Sequence, residues 1–191
     1  MTQRVERIEI ARAWLPAPKP SVEEQSSGAL SMFFNWLRAT SRTAIVTSYF
    51  TWRYPDASDA VALAQLAQDS QALTVAGVHS TLSATFDVTL AIFANRWGTL
   101  LEACSVLVEA RRSITGAALT TLYGDVPLIV LLATASPLVA RDVLIMVLDA
   151  LADLHYPAVN LLLQPASPYV TLAMSLGFET VGQVQQVLVY G

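Results

Sequence analysis

Side chains able to do chemistry are sparse in this chain. Cys104 is its single cysteine, His79 and His155 stand far apart, and no spacing of His, Cys, Asp or Glu matches a metal site. His155 precedes Tyr156-Pro157 at the end of an apolar helical stretch, where an imidazole meets the negative end of the helix dipole, a structural role. Glu109 and Asp125 are the carboxylates bordering a run of three strand-like segments, and each is either a proton acceptor or a solvated turn residue. Tyr169 offers a phenol near the start of a short helix, and Arg141 and Asp142 sit side by side near the start of a long one.

The composition bounds what these groups can serve. With 191 residues, 54% of them hydrophobic and 14% charged, the chain has apolar surface for one sizeable core. A net charge of -4 and the absence of a Lys/Arg cluster argue against nucleic-acid binding, which needs a basic patch to neutralise phosphates. One cysteine gives no internal disulfide, which fits a reducing compartment. Residues 1–10 mix Arg and Glu with isoleucine rather than forming the apolar core of a secretory signal, and the longest apolar stretch, Val126 to Ala140, is short of a membrane span. The expectation is a soluble, cytoplasmic protein.

Residues 1–43 read as an N-terminal extension and residues 44–191 as the domain. Ile8, Ile10 and Trp14 alternate as in a short strand, and Leu15 to Pro20 is an extended proline-rich linker. Residues 29–38 then form an aromatic helix with Phe33, Phe34 and Trp36. Its apolar face has three readings: packing on its own core, docking on a partner protein through those aromatic anchors, or membrane contact, which ranks last because only Arg38 and Arg42 accompany it. The N-terminal block and the final strand are also candidate homodimer surfaces.

From Ala44 to Trp52 the β-branched and aromatic residues predict a strand, stopped by Pro55. Asp56, with Asp59 three residues on, caps a helix over Ala60 to Leu73, and a second helix runs from about Leu82 to Glu102. Ser105 to Ala110, Ile114 to Tyr123 and Pro127 to Ala135 form an antiparallel meander, turned at Arg111-Arg112 and Gly124-Asp125. Ser136 as cap and Pro137 in the first turn start a helix whose buried face includes Val143, Val147 and Leu151. A buried strand over Val159 to Leu163, a short helix from Pro168 to Leu176 ended by Gly177, and a last strand over Val184 to Tyr190 complete the order.

That order, with the turn Tyr54-Pro55-Asp56 and the closing Ser175-Leu176-Gly177-Phe178-Glu179, resembles the GCN5-related N-acetyltransferase (GNAT) family from about Ala44 to Gly191. The resemblance implies an α+β fold: a central mixed, mostly antiparallel sheet flanked by helices. It also implies acetyl-CoA or another acyl-CoA as cofactor and no metal. In such enzymes the diphosphate of coenzyme A sits on backbone N–H groups at the start of the helix after the central strand, in a loop of small residues. Here that stretch runs Pro137 to Met146, and the glycine positions hold Leu144 and Met146, or Val143 and Ile145 in the other register. The residues the resemblance assigns to the cofactor are Ala135, Val139, Ala140, Arg141 and Asp142. The family's acid, a tyrosine five residues before the Phe of Gly-Phe, corresponds to Ala173, which leaves Tyr169 as substitute acid and Glu109 as candidate base. Two functions follow: a divergent acyl-CoA-dependent N-acyltransferase with weakened or lost catalysis, or a non-catalytic binding module on the same scaffold, docking a partner through residues 29–38 and holding no cofactor.

Overall fold

A computed structural model describes residues 2–15, 50–70, 73–74, 81–163, 167 and 169–190. The linker prolines, the aromatic block with Phe33, Phe34 and Trp36, and His79 lie outside the described residues. In chain order the elements are β1 (Thr2–Trp14), β2 (Phe50–Arg53), α1 (Ala60–Asp69), β3 (Leu73–Thr74), α2 (Leu82–Phe93), β4 (Thr99–Leu100), β5 (Val106–Ala110), β6 (Ser113–Tyr123), β7 (Val126–Thr134), α3 (Pro137–Asp153), β8 (Ala158–Leu163), α4 (Tyr169–Ser175) and β9 (Phe178–Tyr190). The strands form one sheet whose main path runs β2-β5-β6-β7-β8-β1-β9, with β3 attached to β7 and β4 to β6. Among the described strands only β7 and β8 pair in parallel, so the sheet is mixed and mostly antiparallel.

Alternating side chains supply two cores, one on each face of this sheet. On one, Leu63, Leu66 and Ala67 of α1 and Ile92 of α2 close over Leu107, Ala117, Leu119 and Leu131. On the other, Val143, Leu144, Val147 and Leu151 of α3 and Ala173 of α4 close over Val106, Ala118, Ile129 and Val159. The start of α3 is as the sequence requires: Ser136 Oγ accepts from the Val139 N–H at 3.4 Å, and Pro137 fills the first turn, where no N–H is needed. The α1 end is capped by a short 3-10 turn, Ala57–Asp59, whose capping box pairs Asp56 with Asp59.

Several expectations are corrected. The first strand, placed by the sequence in an extension of residues 1–43, is longer than its three apolar markers and lies inside the sheet between β8 and β9. The helix expected over Leu82 to Glu102 stops at Phe93, because Asn95 turns into the left-handed region (φ 59°) and Gly98 follows at φ 98°. A Cβ on Gly98 would stand 2.5 Å from the Leu122 carbonyl oxygen, so this close approach, which seats β4 on β6, requires glycine. Likewise α1 ends at Asp69, and Leu73, expected in that helix, belongs to β3. The last strand starts at Phe178 rather than Val184, since Phe178 itself pairs with Ala13. Of the strand expected over Ala44 to Trp52, residues 44–49 lie outside the described residues and the remainder is β2.

One polar atom in this core is unsatisfied among the described residues. Thr120 is fully buried on β6, its N–H accepted by Ser105 Oγ at 3.0 Å, but its own Oγ1 has no partner. Burying a hydroxyl without a hydrogen bond costs about 1–3 kcal/mol, whereas a methyl in the same volume costs nothing of that kind. Thr120→Val is therefore expected to stabilise the protein by about 1 kcal/mol in urea unfolding; a loss of stability would mean that the hydroxyl is bonded in solution.

Candidate functional site

The place where the sheet opens is set by two ladders. β7 and β8 pair in parallel only at Leu128 with Asn160 and Ile129 with Leu161. At this level the β6–β7 register shifts, Thr120 facing Ile129 and Leu119 facing Leu131, so Val130 is an extra residue on β7. Such a bulge bends its strand and increases its twist, which carries the rest of β7 away from β8. A crevice at the carboxyl ends of parallel strands is the place where α/β sheets bind ligands.

Here the crevice is occupied by the chain itself. β3 lies on the edge of β7 that β8 has left, with Leu73 opposite Leu132 and Thr74 opposite Leu131. Beyond it, Tyr169 reaches from the start of α4 to the end of β7, where its hydroxyl lies 3.0 Å from Thr134 Oγ1 and 3.4 Å from the Thr134 carbonyl oxygen. Thr134 Oγ1 is also within hydrogen-bond distance of the Ser136 carbonyl oxygen, to which it donates at 3.1 Å. These contacts link Tyr169, Thr134 and Ser136 and tie α4 to the cap of α3. Tyr169 is only 3% exposed.

The start of α3 does not offer a diphosphate cradle. Pro137 has no N–H, that of Val139 goes to Ser136 Oγ and that of Ala140 to the Ser136 carbonyl at 3.0 Å, which leaves Leu138's. The N–H of Ala135 is likewise used, by the Thr115 carbonyl at 2.8 Å. Leu138 projects into solvent with 70% of its surface exposed, an apolar side chain at the position where a phosphate needs open backbone. Val139 instead points down onto β6: a Cβ added to Gly116 would be 2.5 Å from Val139 Cγ1 and 3.1 Å from Val143 Cγ2, so the one glycine at this junction seats the helix on the sheet. Ala140 is fully buried in the core. Arg141 is half exposed and its guanidinium stands 3.9 Å from Asp142, whose partial burial raises its carboxyl above the ordinary carboxylate range while Arg141 pulls it back. The residues present therefore do not fit the diphosphate of coenzyme A.

Glu109 lies elsewhere. Its Oε1 accepts from Arg53 Nε at 3.0 Å, and Arg53 Nη1 donates to Asp59 Oδ2 at 2.7 Å, so the three residues form one ionic network beside α1. That is the face opposite the one carrying α3, α4 and Tyr169, and the candidate base and acid are not brought together. Cys104 is a buried free thiol whose pKa burial pushes up to about 11, an unreactive state. Among the described residues no three His, Cys, Asp or Glu side chains gather to hold a metal ion, and no helix is long and apolar enough to cross a membrane. Sequence reasoning missed Thr134, Leu73-Thr74 and Arg53. Only Thr134 left a signal, as the polar end of an otherwise apolar strand just before Ser136-Pro137.

Comparison with solved structures bears on the fold. The chain is similar to a GCN5-related N-acetyltransferase from Sphaerobacter thermophilus (14% identity, TM-score 0.59), the match covering 97% of this chain and 51% of that one. It is similar also to a putative acetyltransferase of the GNAT family from Novosphingobium aromaticivorans (13% identity, TM-score 0.54, 95% of this chain and 63% of that one). A conserved protein of unknown function from Staphylococcus epidermidis matches at 6% identity and a TM-score of 0.56, over 97% of this chain and 62% of that one. The chain thus spans roughly half to two thirds of the length of each of these proteins. No protein-family model and no curated protein matches the sequence. At these identities the likeness defines the fold: the chain has the α+β fold of the GNAT superfamily.

The Arg53 network predicts a pH response. Hydrogen bonds from Arg53, and then the N–H of Asp56, hold the buried Asp59 carboxyl below its ordinary range despite desolvation. A carboxyl lowered in the folded state contributes stability that is full above its unfolded pKa, about 4, and is lost as pH falls through the folded value. Asp59→Asn is expected to cost about 2 kcal/mol at pH 7, discounted for the exposed Arg53, and to flatten the fall in stability below about pH 4. Parallel pH profiles for the two proteins, followed by chemical denaturation, would rule out this linkage.

Proposed function

We propose that this chain is an acetyltransferase-like scaffold whose acyl-CoA site has been closed by its own residues, so that catalysis is lost and the fold serves binding rather than acyl transfer. One observation carries the reading: the edge of β7 beyond Ile129, which an extended ligand would have to pass on its way from α3 to α4, is paired with β3 and crossed at its end by the Tyr169–Thr134 contact. The start of α3 supports it, since its free N–H lies beside an exposed Leu138 and its neighbours' N–H groups are already bonded.

The alternative, a divergent acyl-CoA-dependent N-acyltransferase with Tyr169 as acid and Glu109 as base, is favoured by the Tyr169 hydroxyl reaching the mouth of the crevice. It is weakened by the position of Glu109 in an ion pair on the opposite face. In the binding reading the partner-docking element is residues 29–38, with Phe33, Phe34 and Trp36 as its anchors, and the setting is cytoplasmic.

Calorimetric titration of the full chain with acetyl-CoA and, separately, with free coenzyme A tests the proposal. The expected result is no measurable heat and no thermal shift with ligand at about 1 mM, corresponding to binding weaker than about -4 kcal/mol. Micromolar binding of either ligand would overturn it and return the chain to the acyltransferases.

A further inference from the structure

Strands β1 and β9 run on where the sheet stops. The β1–β9 ladder extends from Thr2 opposite Tyr190 to Ala13 opposite Phe178, but β8 accompanies β1 only from Glu9 to Trp14. Over Thr2 to Ile8 the inner edge of β1 therefore has no strand beside it among the described residues, and β1 and β9 continue as a two-stranded ribbon past the last residue of β8, Leu163. A two-stranded ribbon alone is marginally stable in water, and an open strand edge presents a row of unpaired N–H and C=O groups.

The residues along that open edge indicate what completes it. Antiparallel pairing of two identical strands about a two-fold axis is isologous, so each contact occurs twice. With the axis at Val5, Arg4 of each strand stands opposite Glu6 of the other, Val5 opposite Val5, and Gln3 opposite Arg7. The axis of such a pair passes through a residue opposite its own copy, and moving it to Arg4 or to Glu6 sets like charges face to face. Opposite charges across a strand pair are favourable and like charges unfavourable. The register that matches the charges pairs Thr2 to Ile8 of the two copies and stops short of Glu9, where β8 begins to accompany β1 among the described residues. Within each chain the positions opposite Arg4 and Glu6 on β9 are Leu188 and Gln186.

We infer that the ribbon is a homodimerisation element: two copies of this chain pair their β1 strands antiparallel over Thr2 to Ile8 about a two-fold axis at Val5. This rests on the β1 register alone and is independent of whether the crevice binds a cofactor.

Sedimentation velocity of the full chain gives the test. The wild type is expected at twice its 20.6 kDa mass. Arg4→Glu and Glu6→Arg, each of which turns both attractive pairs repulsive, are each expected to weaken self-association roughly tenfold or more. An equimolar mixture of the two variants restores both pairs and is expected to regain the dimer, with circular dichroism verifying that each variant is folded. A wild type that stays monomeric, a dimer untouched by Arg4→Glu, or a mixture that associates no better than its components would each overturn the inference.

Discussion

The parting of β7 from β8 after Ile129 is the constraint on which the rest of this molecule depends. One added residue, Val130, bends β7 at that level, and every element beyond it is arranged around the gap that results. An unpaired strand edge in a protein interior leaves backbone groups that must be satisfied. β3 meets that demand along β7, and the Tyr169 hydroxyl meets it at the strand's end, where Thr134 relays the interaction to Ser136. Three separate segments, one before α2, one at the start of α4 and one at the cap of α3, are thereby tied to the same opening.

Helix α3 follows from the same junction. Its first turn is stabilised by a side-chain cap and a proline, both of which use up or remove N–H groups that an anion would need. Gly116 lets Val139 and Val143 settle onto β6, so the helix gains apolar contact where a glycine-rich loop would leave space. Stability and anion binding make opposite demands of these residues. The fold is that of the GNAT superfamily, while the side chains at its crevice serve internal contacts.

Much of this was legible in the sequence where local chemistry decides. Ser136-Pro137 marked the start of α3 and Gly177 the end of α4, since a cap, a fixed φ and a left-handed turn are properties of a few adjacent residues. The absence of glycine between Pro137 and Met146 already spoke against a diphosphate loop. What the sequence hid was non-local. Leu73-Thr74 continues a helical pattern and becomes a strand because β7 has an open edge, which no neighbour of Leu73 encodes. The place of β1 between β8 and β9 is a pairing across the length of the chain, and alternation of Ile8 and Ile10 identifies a strand but not its partners. Tyr169 was visible as a phenol, yet its engagement with Thr134 depends on the bend in β7.

The hydrogen bond between Tyr169 and Thr134 spans the end of β7 at the crevice, and a double-mutant cycle measures that bond directly. Unfolding free energies of the wild type, Tyr169→Phe, Thr134→Val and the double variant are predicted to show a coupling of about 1 kcal/mol. Additivity within about 0.3 kcal/mol would contradict the account, because two hydroxyls that do not sense each other leave the crevice open to water or to a ligand.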